Sequence, residues 1–226
     1  MKKSFFTILL TLLMSMMSIE LAYGFAATNS DGVTIYYGWY YRPYGKELYV
    51  TGYSGYSGNL VIPEAVTYKG GTYPVTAIGL CAFSYCDALK SVTIPSSVTS
   101  IGEQAFRGCK NLTSIVIPNS VMHVGSDAFD WTPWYENQPN GVLYVGKVAY
   151  CYHGEMPENT HVTIKEGIQV IGNRAFDGRK NLTSISIPNS ITIIESHAFE
   201  NCSSLVNISI PNSITIIESH AFWNCI

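Results

Sequence analysis

The chain is 226 residues long, 47% hydrophobic and only 13% charged, with a formal charge of −3. That balance supplies no basic stripe to neutralise phosphates, which argues against nucleic acid as a partner. Its length would fill one or two ordinary domains, so the pattern along the chain must decide between a globular core and a stack of repeats.

Residues 1–24 carry the three-part pattern of a secretory signal peptide: Lys2-Lys3, an apolar run from Phe5 to Ile19, and small residues at Ala22-Tyr23-Gly24 and Ala26-Ala27. The run falls short of the ~20 apolar residues that span a bilayer and is followed by Glu20. Cleavage near Phe25 or Ala27 is therefore expected rather than a retained anchor, with no membrane span afterwards. Removal of the segment lowers Lys plus Arg from 13 to 11 and Asp plus Glu from 16 to 15, a balance of −4. Residues 25–76 follow as an N-terminal β cap. Eight of the sixteen tyrosines lie between Tyr36 and Tyr56, with Trp39 among them and glycines at 52, 55, 58, 70 and 71. This predicts a small antiparallel sheet that seals the first turn of what comes next.

From residue 77 the pair Ala-Phe recurs six times, at Phe83, Phe106, Phe129, Phe176, Phe199 and Phe222, with spacings of 23, 23, 47, 23 and 23 residues. A fixed period of this length signals stacked units that bury their apolar faces against each other. The frame is fullest at Leu182-x-x-Ile185-x-Ile187-Pro188-x-x-Ile191-x-x-Ile194, followed by Ala198-Phe199-x-x-Cys202. Alternation before Pro188 is the period-2 signature of a strand with one buried face, and Pro ends it. Leu89, Val92 and Ile94, with Leu112, Ile115 and Ile117, Leu182, Ile185 and Ile187, and Leu205, Ile208 and Ile210, are the expected rungs of one parallel sheet. Val98 and Ile101, Val121 and Val124, Ile168 and Ile171, Ile191 and Ile194, and Ile214 and Ile217 line the opposite wall. Each Phe plugs the space between the walls, worth roughly 1.5 to 3 kcal/mol of burial.

Cys86, Cys109, Cys202 and Cys225 lie three residues after a repeat Phe, and Thr132 and Arg179 fill that slot in the other two turns. Stacked turns hold parallel Cβ atoms ~4.8 Å apart, wider than the ~3.8 Å that a disulfide prefers, so buried thiols are expected. Cys81 and Cys151 lie outside this ladder, and the sequence leaves their pairing open. Between Phe129 and Ala175 the spacing doubles. The extra piece, about residues 130–161, reads as two short strands joined at Gly146-Lys147, a Gly-X pair that fits a II′ turn. At the far end Cys225-Ile226 stops inside a repeat, which leaves the Ile214, Ile217 and Phe222 layer without a covering unit. A fragment of a longer protein and association end to end are both compatible with that feature.

The full motif, Ile-Pro-x-x-Ile-x-x-Ile-Glu-x-x-Ala-Phe-x-x-Cys-x-x-Leu-x-x-Ile, resembles the BspA-like class of bacterial surface leucine-rich repeats from about residue 59 to 226. The resemblance implies a right-handed leucine-rich-repeat solenoid, which with the N-terminal antiparallel β cap and the β-hairpin insertion read from the residues makes a mainly β fold. It also implies adhesion to host matrix or plasma glycoproteins or to other bacteria. Segments like the Trp-Tyr and Tyr-x-Gly-x-Val-x-Tyr pieces of the hairpin occur in relatives.

Two surfaces are candidates for contact with an extracellular protein or glycan. Strand alternation turns Ser91, Thr93, Ser184, Ser186, Asn207 and Ser209 outward, either as a binding face or as hydroxyls that solvate an exposed sheet. Trp131, Trp134, Tyr135, Tyr144, Tyr150 and Tyr152 form the sharper candidate, because exposed aromatics dominate binding hot spots, although they could instead pack the hairpin onto the solenoid. His197 and His220, each two residues after Glu195 or Glu218, suggest a metal only faintly against plain duplication of a surface pair. Cys151, His153 and Glu155 alternate along one strand but lack an orienting group or oxyanion donor, so no catalytic residue is assigned. Asn111, Asn181 and Asn207 open glycosylation sequons that read as repeat sequence. No phosphate loop, dinucleotide fingerprint or hydrolase motif is present, and no cofactor is expected. The leading expectation is a secreted or surface adhesin, not an enzyme; the alternative is a spacer that presents a C-terminal anchoring or catalytic module.

Overall fold

Aliphatic rungs lie one repeat apart along two walls, as the 23-residue period requires. The computed structural model describes residues 24–43, 45–52 and 55–225. The expected signal segment lies outside these residues, apart from Gly24.

At the head, β1 (Phe25–Thr28), β2 (Thr34–Arg42) and β3 (Gly45–Val50) run antiparallel to one another in order. β4 (Gly58–Val61) opens the first wall, and β5 (Ala65–Tyr68) forms a hairpin with β6 (Gly71–Ile78). Parallel pairing begins early. β3 pairs with β6 through Val50 and Ile78, and β4 pairs with β7 (Leu89–Thr93) through Leu60 and Val92. Tyr56 holds the place of a repeat Phe here: its ring lies 4.9 Å from that of Phe83, and its hydroxyl accepts the Tyr36 N–H at 3.0 Å. Phe25 stacks on Tyr68 at 3.9 Å and packs on Trp39 at 5.3 Å, which covers this end with aromatic surface.

β8 (Ser100–Ile101) joins β6 on the second wall, β9 (Ser114–Val116) joins β7 on the first, and β10 (His123–Val124) joins β8. The rows Leu60, Val92, Ile115 and Ile78, Ile101, Val124 are therefore continuous buried ladders. Between them the rings of Phe83, Phe106 and Phe129 stack at 5.0 and 5.6 Å, within 8° of parallel. That spacing is close to the ~4.8 Å between strands, so the period of the chain sets the period of its core.

After Phe129 the pattern changes. Thr132 caps the single-turn helix α1 (Pro133–Glu136), accepting the Tyr135 N–H on its hydroxyl, and Pro133 occupies the first turn, where a missing N–H costs nothing. β11 (Gly141–Val145) and β12 (Val148–His153) then form an antiparallel hairpin, with Gly146 at φ 58° in the turn. The hairpin reads in the sequence as an excursion; instead, β12 is itself a rung of the second wall. It pairs in parallel with β14 (Val170–Ile171), while β13 (Thr160–Thr163) pairs with β15 (Leu182–Ser186) on the first wall. Turning Tyr150 and Tyr152 inward puts them in the core, Tyr150 against Phe129 at 5.6 Å. The buried residues fall into two clusters that meet at this hairpin.

β16 (Ile193–Ile194) and β17 (Ile216–Ile217) extend the second wall in register, with Phe176, Phe199 and Phe222 stacked at 5.2 Å beside them. On the first wall pairing stops at β15. The expected rung at Ile208 and Ile210 is not a strand; Ile208 still packs on the core, but an open groove separates Ile185–Ile187 from Ser209–Asn212. Asn207 and Ser209 thus do not belong to the sheet face that alternation predicts for them. A strand holds its extended form by sharing hydrogen bonds with neighbours, and this segment makes none with β15.

Candidate functional site

The edge of the solenoid at the Phe turns is built the same way in each regular repeat. The residue two before Phe has a left-handed backbone: Cys81, Gln104, Asp127, Arg174, His197 and His220, at φ 51° to 59°. The residue two after does likewise: Tyr85, Gly108, Trp131, Gly178, Asn201 and Asn224, at φ 56° to 72°. Two such residues swing the chain round the buried ring, at roughly 1 to 2 kcal/mol each for a side chain other than glycine. Glycines at two of the second positions are the sequence signal for the bend. The first position never holds glycine, so nothing in the residues betrays it.

Hydrogen bonds along this edge run one way. The N–H groups at the three alternate positions centred on Phe donate to carbonyls of the following turn, as Cys81, Phe83 and Tyr85 do to Glu103, Ala105 and Arg107 at 2.7 to 3.0 Å. The slot three after Phe reaches back instead. Cys109, Cys202 and Cys225 donate their thiols to the carbonyls of Phe83, Phe176 and Phe199 at 2.9 to 3.0 Å. Arg179 does the same for Tyr152, the Phe-equivalent of the hairpin turn, at 2.5 Å. In the turn after Phe129 that slot is Glu155, which has no proton to give. Thr132 therefore satisfies Phe129 from within its own turn at 2.7 Å. None of the six cysteines forms a disulfide, and burial pushes the Cys109 and Cys202 thiols up to about 12. These are packing groups that close a carbonyl.

The candidate aromatics disperse. Trp131 remains exposed at 55%, with the Arg107 guanidinium 4.1 Å from its ring, and Arg107 pairs with Asp127 at 2.9 Å. Trp134 packs on Phe129 at 4.8 Å, and Tyr135 packs on His153 at 4.8 Å while its hydroxyl lies 3.6 Å from the Cys151 sulfur. Tyr144 accepts the Lys165 N–H at 3.2 Å, with the ammonium 4.5 Å from its ring. Tyr150 and Tyr152 are buried because the β12 alternation points both inward. One aromatic escapes sequence reasoning: Tyr85, 56% exposed, lies against Gly108, where an added Cβ would come within 2.7 Å of its ring. It shares its slot with Trp131 two turns on.

On the sheet face, Ser91 bonds Asn59 at 2.9 Å, and His161 gathers Ser184 at 2.6 Å, Ser186 at 3.2 Å and Thr163 at 3.3 Å. Thr93 is exposed beside them. Glu195 and His197 point to different partners: Glu195 accepts from the Asn173 N–H at 2.8 Å and meets His123 at 2.7 Å, whereas His197 bonds Glu200 at 2.5 Å and stacks on His220. Among the described residues no three His, Cys, Asp or Glu gather as a metal site. Burial pushes the Cys151 thiol up to about 11, which keeps it protonated, and Glu155 is exposed, so the alternating trio does not assemble into a nucleophile and base. No helix among the described residues is long and apolar enough to cross a membrane.

Comparison with known proteins agrees with this architecture. Residues 76–138 and 144–226 match the model of the BspA type leucine rich repeat region, in six copies. A leucine rich cell surface protein from Faecalibacterium prausnitzii is similar at 27% identity and a TM-score of 0.47, over 89% of this chain and 52% of that one. A leucine-rich repeat protein from Bacteroides ovatus is 25% identical with a TM-score of 0.39, over 84% and 49% of the two chains. One from Eubacterium ventriosum is 28% identical with a TM-score of 0.37, over 83% and 50%. The chain thus spans about half the length of these structures, and no curated protein matches it. Six copies of the repeat, their shared Phe-turn geometry and the stacked rungs place the chain in the BspA-type leucine-rich repeat family.

Proposed function

We propose that this chain is an exported, surface-displayed recognition protein of the adhesin type, non-enzymatic, which binds an extracellular protein or glycan through its Phe-turn edge. The observation that carries this reading is the exposed pair Tyr85 and Trp131, 56% and 55% accessible, in equivalent slots two turns apart, with the Arg107 guanidinium of the intervening turn against the Trp131 ring. Aromatic rings flanking an arginine are the side chains most enriched at binding hot spots. Their positions on stacked turns fix them ~10 Å apart on a rigid scaffold, at ~4.8 Å per turn. The sheet face contributes a secondary polar surface. Its hydroxyls are already bonded laterally, to Asn59 and His161. Export rests on the charged, apolar and small-residue pattern of residues 1–24.

The test is adhesion of the exported chain to immobilised matrix glycoproteins and to whole bacterial cells. Binding that falls at least tenfold in the Tyr85→Ala, Trp131→Ala double variant, with an unchanged melting temperature, supports the reading. Absence of binding to every surface, or binding indifferent to both substitutions, defeats it.

A further inference from the structure

The hairpin turn leaves a notch in the Phe-turn edge. Regular repeats place a left-handed residue two before Phe, with its side chain on the edge. In the hairpin turn the corresponding residue is Tyr150, two before Tyr152, and it is extended and points inward. The row therefore passes from Asp127 to Arg174 with one side chain missing. Backbone bonding fails at the same place. Each regular turn donates three N–H groups forward, but among the described residues Asp127, Phe129 and Trp131 donate none to the hairpin turn. Ala128 instead donates to the Tyr150 hydroxyl at 3.0 Å.

The result is a cleft of about 160 Å³ with Asp127, Asp130, Tyr135, Tyr150, Asn173 and Arg174 in its lining. That is smaller than the ~300 Å³ at the low end of ordinary ligand pockets, so it has room for one small ring. Its chemistry is mixed. The Asp130 carboxylate makes no hydrogen bond among the described residues, and burial together with Asp127 holds it above the usual carboxylate range. Tyr150 is buried and spends its oxygen on Ala128, which leaves its proton to give. Asp127 and Arg174 are already paired, with Arg107 and Asp177.

An unspent acceptor and an unspent donor in one cleft match a group that both gives and takes a hydrogen bond, which is a hydroxyl. An ammonium ion would use Asp130 but leave the Tyr150 proton unmatched; an anion would meet two carboxylates. The Tyr135 ring adds an apolar wall for the C–H face of a ring. We propose that this cleft takes the terminal pyranose of a glycan, with Asp130 accepting from one hydroxyl and Tyr150 donating to another. The proposal rests on the recognition reading above and names a ligand class at a second place on the same edge.

The experiment is saturation-transfer NMR on the exported chain with free glucose, galactose, mannose and N-acetylglucosamine as probes. Transfer to at least one sugar, weakened about tenfold in Asp130→Asn, is the expected result, since a hydrogen bond to a charged group is lost. The variant's melting temperature should stay level or rise, because it removes a half-buried charge that burial and Asp127 disfavour more than Arg107 favours it. No transfer to any of the four, or equal transfer in Asp130→Asn, overturns the proposal. If matrix or cell adhesion persists in that case, the cleft fails alone and the surface reading stands.

Discussion

Residues Pro188–Phe199 and Pro211–Phe222 are identical in sequence, and their environments differ sharply. In the inner copy Ile191, Ile194 and Phe199 are fully buried, and Glu195 is nearly so. In the outer copy Ile217 is 49% exposed, Phe222 is only partly buried, and Glu218 is exposed, though it still accepts from Ser196. On the second wall the backbone register is kept, because β17 pairs with β16 as β16 does with β14, whereas the forward bonds of His197, Phe199 and Asn201 have no counterpart at His220, Phe222 and Asn224 among the described residues. Burial in a stack is thus conferred by the next turn, whereas the local conformation is written in the repeat itself. The head of the molecule shows the other solution, where β1, β2 and the Phe25, Trp39 and Tyr68 rings cover the first rungs.

The largest expected contrast is at the ring. Phe199→Ala should cost about 3 to 5 kcal/mol, as removal of a buried ring does, because it opens a void felt by two turns. Phe222→Ala should cost less than half as much in urea denaturation; equal losses would break the comparison. Next comes the aliphatic rung. Ile194→Ala is expected to cost about 2 to 5 kcal/mol, against about 0.5 kcal/mol or less for Ile217→Ala. The smallest effect is electrostatic. Glu195 raises the pKa of His123 above its ordinary 6.5, so the folded state favours the protonated ring. That contribution is fully present below the unfolded value and disappears as pH rises through the higher folded one. Stability should therefore decline with rising pH above about 6.5 in the native chain and lose this slope in His123→Gln. His123 faces Glu195 and Glu218, and Glu218→Gln should leave most of the slope in place. A His123 titration by NMR unshifted from 6.5 would refute the assignment.

The period made the walls, the stacked rings and the buried thiols readable. Ile-x-Ile-Pro announces a one-faced strand, and the recurrence of Cys three after Phe announces a shared slot. The hairpin was readable only as two strands, because Val148 and Ala149 lack the flanking Pro that marks other rungs. The inward turn of Tyr150 and Tyr152 depended on which face of β12 met the core, and alternation alone cannot choose a face. Of the candidate site, Trp131 was visible from its type, but Tyr85 was hidden among sixteen tyrosines until its left-handed slot linked the two.

The N–H groups of the Phe turns donate forward while those of the second wall donate back, as Gly125 does to Ile101 and Glu218 to Ile194, so each regular junction between turns is stitched from both sides. A turn is therefore clamped by donors and acceptors on both flanks, so sliding one turn past the next breaks bonds of both senses.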